Sequence, residues 1–144
     1  MCACINADQL RESFERIEEL ASMNKSLSDQ IREGIRAFER RLQGLEGRVP
    51  ARVALGGESE VTLGFQQQGS HWKLVLVDKR HHGHRPTSVI LTEASVETQI
   101  QAVATLPALL DEMIKAHERR VAELEPALAE IGKLGIQDVG LYAD

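Results

Sequence analysis

The sequence predicts an α+β fold in which two long antiparallel helices, one N-terminal and one C-terminal, flank a four-stranded antiparallel β-meander. Three observations support this prediction. Apolar residues recur at helical spacing up to residue 45 and again after residue 96, and between these segments they alternate with polar residues as they do in strands. A chain of 144 residues fits one domain of ordinary size. We expect this domain to span residues 8–134, with tails at 1–7 and 135–144.

The first helix is predicted from a capping residue near position 8 to about residue 45. Its apolar residues are separated alternately by four and three positions, which is a heptad pattern, and Asn24 and Ser28 interrupt that register. Gly44 and Gly47 then give stop signals, and Pro50 prevents the helix from continuing. The apolar members of the register are Leu10, Phe14, Ile17, Ala21, Ile31, Ile35, Phe38, Leu42 and Leu45.

The second helix is predicted from a Ser95 cap to Gly132, and it has the same heptad pattern. Pro107 and Pro126 lie inside it, and an interior proline removes a backbone hydrogen bond. We therefore expect a kink or a restart at residues 105–107 and a further irregularity near Pro126. The register consists of Ile100, Val103, Pro107, Leu110, Ile114, His117, Val121, Leu124, Leu128 and Ile131.

Four strands are predicted between the helices, at residues 49–55, 60–66, 72–78 and 87–93. The Gly69-Ser70 pair is a natural two-residue turn, and it sets Phe65 opposite Leu74. Trp72 is then expected on the core-facing side of the sheet with Leu74. In outline, a long helix, a β-hairpin region and a second long helix resemble the layout of prefoldin-like chaperone subunits.

Composition narrows the classes of function. A net charge of -5 and a pI near 5.6 argue against a surface devoted to nucleic acid, and five aromatic residues are too few for base-stacking platforms. The sequence shows no export signal and no run of about 18 apolar residues, so we expect a cytoplasmic protein that is not inserted in a membrane. Cys2 and Cys4 are interpreted as free thiols in a tail, with zinc ligation or a redox pair as alternatives.

The segment from Lys79 to Pro86 contains three histidines, His81, His82 and His84, which we take as candidate metal ligands. The carboxylates of Glu58, Glu60 and Asp78 are expected nearby and could complete a zinc or nickel site. Alternatively, the cations of Lys79, Arg80 and Arg85 could contact phosphate, or the segment could be a solvated turn. The spaced ligand pairs of structural zinc sites are missing from the sequence.

Motifs of catalysis are also missing. The sequence has no glycine-rich phosphate loop, no nucleophile elbow and no marked carboxylate pair. A catalytic site assembled from distant residues would leave no local motif, so enzymatic activity is disfavoured without being excluded. We assign no catalytic residue and no cofactor.

The helices themselves suggest a function. A helix of about 36 residues is about 54 Å long, whereas the strands span about 26 Å, so the helices extend beyond the sheet. Six further apolar residues lie beside the heptad registers and make the apolar faces wider than one helix-helix contact needs. We predict that they form an interaction surface: Leu20, Met23, Leu27, Leu106, Leu109 and Met113. An antiparallel alignment places Asn24 beside His117 as a polar layer that fixes register.

These features predict a non-enzymatic protein-protein interaction or assembly protein. It would act through its amphipathic helices, as a homo-oligomer and with another protein as a further partner. A metal-, phosphate- or nucleic-acid-binding protein that uses residues 79–86 is the alternative.

Overall fold

A computed structural model describes residues 6–56, 58–80 and 85–135. Helix α1 (Ala7–Gln43) precedes four strands, β1 (Ala51–Leu55), β2 (Glu58–Gln68), β3 (His71–Asp78) and β4 (Thr87–Ile90). A short 3₁₀ turn (Leu91–Glu93) then leads into helix α2 (Val96–Lys133). The strands form one antiparallel sheet in the order β1-β2-β3-β4. The predicted α+β class, with two terminal helices and a four-stranded meander, is confirmed.

Local sequence explains where the helices begin. The Asn6 side chain accepts a hydrogen bond from the Gln9 backbone N–H at 2.8 Å, and the Gln9 side chain accepts one from the Asn6 backbone N–H. This reciprocal pair satisfies two donors that the first turn leaves without partners. Ser95 caps α2 in the predicted way by accepting a hydrogen bond from the Thr98 backbone N–H.

The register of the β2–β3 hairpin is the one that its turn predicts. Phe65 pairs with Leu74 and Leu63 with Leu76, and Gly69 in the turn has a φ of 61°, which favours glycine. Trp72 is partly buried against the core, with its ring centroid 5.3 Å from that of Phe65. The core-facing side of the sheet is therefore assigned correctly from the sequence.

The core lies between that face of the sheet and parts of both helices. One cluster of buried side chains joins strand residues such as Leu63, Phe65 and Leu74 to helix residues such as Ile35 and Leu109. Burial of this apolar surface is the main source of stability. The helix residues in this cluster belong to the second half of α1 and the first half of α2, so the sheet covers only those parts of the helices.

Helix α1 approaches the edge of β3 beyond the point where β4 ends. Buried Glu39 accepts a hydrogen bond from the Leu74 backbone N–H at 2.8 Å, and the Gln43 side chain donates to the Trp72 carbonyl at 2.6 Å. Four helical residues rise about 6 Å and two strand residues about 6.6 Å, so the two contacts match in spacing. Consequently α1 runs opposite to β3 and ends near the β2–β3 turn, which we call the hairpin end of the sheet.

Helix α2 also runs across the sheet toward the hairpin end. Its first turns line a cleft with Leu55 and Asp78, at the end of the sheet away from the β2–β3 turn. Further along, Glu112 and Arg119 lie with Ala51 at the hairpin end. The two helices therefore run in the same general direction. Each helix takes this direction from its own contacts with the sheet. The antiparallel alignment that we expected between their seams does not form within the chain.

The two prolines do not interrupt α2, which runs continuously from Val96 to Lys133. Pro107 and Pro126 both lie on its exposed side, where water can solvate the carbonyls that lose their partners. In the turn before Pro107, the Thr105 hydroxyl donates to the Gln101 carbonyl at 2.9 Å. The helix therefore does not restart at residues 105–107, and the kink that is the alternative there stays a prediction.

Candidate interaction surface on the two helix arms

The N-terminal half of α1 extends away from the sheet. Residues 7–27, which we call the α1 arm, are exposed throughout, over about 31 Å of helix. The side chain of Phe14 is 55% exposed, although it belongs to the apolar heptad register. The large apolar residues exposed on this arm are Leu10, Phe14, Ile17, Leu20, Met23 and Leu27.

Helix α2 turns its heptad register away from the core. The residues that pack against the sheet, including Ala102, Leu109 and Met113, lie beside that register and not in it. The register itself is exposed over about 46 Å of helix, and Ile114 and Leu124 are 56% and 58% exposed. Its exposed apolar members are Ile100, Val103, Leu110, Ile114, Val121, Leu124, Leu128 and Ile131. We call residues 118–133, which are exposed apart from the partly buried Gly132, the α2 arm.

An apolar groove lies at the base of the α2 arm. The end of α1 forms one wall with Leu42 and Leu45, and α2 forms the other. The Nε2 atom of His117, which lies in this groove, is buried and has no hydrogen-bond partner among the described residues. The residues contributed by α2 are Leu110, Met113, Ile114, His117, Glu118 and Val121.

The polar faces of the arms carry ion pairs within single helices. Arg11 pairs with Asp8, and Lys25 with Asp29, both at the exposed surface. The hydrogen bond from Lys25 holds the pKa of the Asp29 carboxyl below its usual value. Exposed pairs of this kind contribute little to stability, so these faces are suited to contact with water.

The structure divides the predicted interaction surface. Leu20, Met23 and Leu27 are exposed on the α1 arm. Leu106 is partly buried against the core, Leu109 is 0% exposed and Met113 is also buried. The sheet covers these three α2 residues, so assigning them to an interaction surface is wrong. The signal available in the sequence is the heptad register of α2 itself, which the predicted antiparallel alignment packs against α1.

The predicted polar layer does not form within the chain. Asn24 is exposed on the α1 arm, whereas His117 lies beside Leu42 and Leu45. The alignment failed because it required antiparallel helices, and the sheet sets both helices in one direction.

The histidine segment is only partly described. His81, His82 and His84 lie outside the described residues, so their assignment as metal ligands stays a prediction. Next to them, the Arg80 guanidinium binds the Asp78 carboxylate through two nitrogens, with the shortest distance 2.7 Å. Within the described residues no cluster of histidine, cysteine and carboxylate side chains could hold a metal ion.

Comparisons with protein-family models, with curated proteins and with solved structures found no match to this chain. In the part of the chain that the structure describes, no helix is both long and apolar enough to cross a membrane.

Proposed function

We propose that this protein is a non-enzymatic interaction and assembly protein that associates with itself through its two helix arms. The observation that carries the proposal is the exposure of a heptad register on both arms. Folded monomers rarely expose contiguous apolar patches of more than a few hundred square ångströms, and larger patches mark interaction sites. A different partner protein would bind either the exposed apolar registers or the polar faces of the arms that lie outside them.

The heptad spacing supports a helical occupant of these surfaces. Apolar residues at alternating steps of four and three pack into the spaces between side chains of a facing helix. Residues such as Phe14 and Leu124 would each contribute about 1.5–3 kcal/mol if an assembly removed them from water. Several such residues on each arm are enough for stable association.

Replacing Phe14 by glutamine tests the proposal. We expect the wild-type chain to be at least a dimer by light scattering, and Phe14→Gln to weaken association at least about tenfold. The stability of the protomer should hardly change, because Phe14 makes no part of the core. Glu12→Gln, on the polar face of the same arm, is the matched control and should associate like the wild type.

A wild-type mass of 16.0 kDa that persists at high micromolar concentration would contradict the proposal. Equal association of Phe14→Gln and the wild type would contradict the assignment of the surface.

A further inference from the structure

We infer that the partner is a second copy of this chain, arranged so that the α1 arm of each protomer packs antiparallel against the α2 arm of the other. This inference rests on the proposed function and specifies its geometry. The α1 arm leaves the sheet at the end away from the β2–β3 turn, and the α2 arm leaves at the hairpin end. A two-fold axis perpendicular to the helices reverses one protomer. It thereby brings each α1 arm beside the partner's α2 arm, and both junctions are identical.

The apolar surface of the α1 arm matches the distal part of the exposed α2 register in length. Large apolar side chains are exposed on the α1 arm from Leu10 to Leu27, and the distal part of the exposed α2 register runs from Ile114 to Ile131. Each of these segments therefore covers about 26 Å of helix. The α1 arm can consequently cover this distal stretch of α2, while the exposed register before Ile114 stays outside the contact.

One alignment pairs the heptad positions of the two arms layer by layer. When the numbers of facing residues sum to 138, Leu10 faces Leu128, Phe14 faces Leu124 and Ile17 faces Val121. A slip of one heptad leaves either a tip or a base uncovered. Matching the two segments end to end would give a sum of 141, and 138 is the nearest sum at which the heptad positions of antiparallel helices face each other in layers.

The groove at the base of the α2 arm fits the same arrangement. In this alignment, Ala21 of one protomer faces the partner's His117, so a small side chain meets the half-buried imidazole. Leu20 and Leu27 lie beside the heptad register of the α1 arm, on the same side as Met113 lies beside the heptad register of α2. These leucines would therefore enter the apolar space beside Leu42 and Leu45, which the protomer alone leaves open.

Charges beside the seam agree with the pairing at two of three positions. The carboxylates that flank the α2 register are Asp111, Glu118 and Glu125, and the flanking α1 positions nearest to them, whose numbers sum to 136, are Lys25, Glu18 and Arg11. The outer two pairs combine opposite charges, and their cations, Arg11 and Lys25, also pair with Asp8 and Asp29 of their own helix. The central pair, Glu18 with Glu118, combines like charges and should weaken association. Reversing one of these charges should therefore strengthen it.

Disulfide trapping tests the pairing in full-length chains whose Cys2 and Cys4 are replaced by serine. One chain carries Ile17→Cys and the other Val121→Cys. After mixing and mild oxidation, we expect a covalent dimer containing one copy of each chain, and little cross-linking of either chain alone. Glu19→Cys, on the opposite side of the α1 arm, is the matched control and should not link to Val121→Cys.

A charge reversal provides a second readout. Glu18→Lys should lower the dissociation constant about two- to five-fold at low salt by removing the like-charge contact, and high salt should abolish the gain. Glu12→Lys changes the net charge equally on the polar face and should have no such effect.

The mass of each sample separates failure of this inference from failure of the proposed function. A dimer in which Ile17→Cys chains link to one another, or one without mixed disulfides, would overturn the arm exchange and leave self-association standing. A wild-type monomer would overturn both proposals.

Discussion

Replacing Glu39 by methionine should destabilise the protomer by about 1–3 kcal/mol. Glu39 is 5% exposed, and its carboxylate accepts the hydrogen bond of the Leu74 backbone N–H, which β4 is too short to reach. Methionine has nearly the same size and helix propensity, but it cannot serve as an acceptor for this donor. The buried N–H would then lose its partner, and its desolvation would no longer be compensated.

Glu39→Gln separates the hydrogen bond from the charge. The glutamine carbonyl can still accept from the Leu74 N–H, whereas the contact between Glu39 and Lys73, at 3.7 Å, loses its ionic character. Lys73 is partly exposed, so this contact contributes at most about 1 kcal/mol. We therefore expect Glu39→Gln to cost less than Glu39→Met.

Urea unfolding followed by far-UV circular dichroism measures both changes, at a protein concentration held constant. Glu33→Met is the matched control, since Glu33 lies on the same helix and its ion pairs with Arg36 and Arg40 are exposed. It should change the free energy of unfolding by no more than about 0.5 kcal/mol. If Glu39→Met unfolded at the wild-type midpoint, the role assigned to Glu39 at the edge of β3 would be refuted.

Two further predictions concern positions in the core and in the sheet. Gln99→Leu should cost about 1–3 kcal/mol, because buried Gln99 donates to the Leu91 carbonyl at 3.2 Å and joins α2 to the 3₁₀ turn; an unchanged urea midpoint would contradict this role. Gly64→Ala should cost a similar amount, because a Cβ there would lie 2.9 Å from the Ala51 carbonyl oxygen. Gly34→Ala, where a Cβ meets nothing within 4 Å on a helix surface, should instead stabilise by about 0.5–1 kcal/mol, and equal signs for the two glycines in thermal unfolding would count against this account.

The parts of the fold that depend on neighbouring residues were predictable from the sequence. Ser95 caps α2 because a hydroxyl near the first free N–H groups needs only the local chain. The pairing of Phe65 with Leu74 follows from Gly69-Ser70, because a two-residue turn leaves a hairpin one register. Alternation along β2 and β3 then identified the face that carries the core.

Only the tertiary structure decided what covers each apolar stripe. A heptad pattern specifies that a residue such as Ile114 faces another helix, but the same spacing serves a helix of the same chain or of a second one. The connection of residues 44–50 and the contacts of Glu39 and Gln43 with β3 fix the direction of α1. These contacts join residues 29 and 35 positions apart, which local periodicity does not report. The sequence by itself therefore determined the helices, the strands and their register, and the packing on the sheet determined which apolar residues remain exposed on the arms.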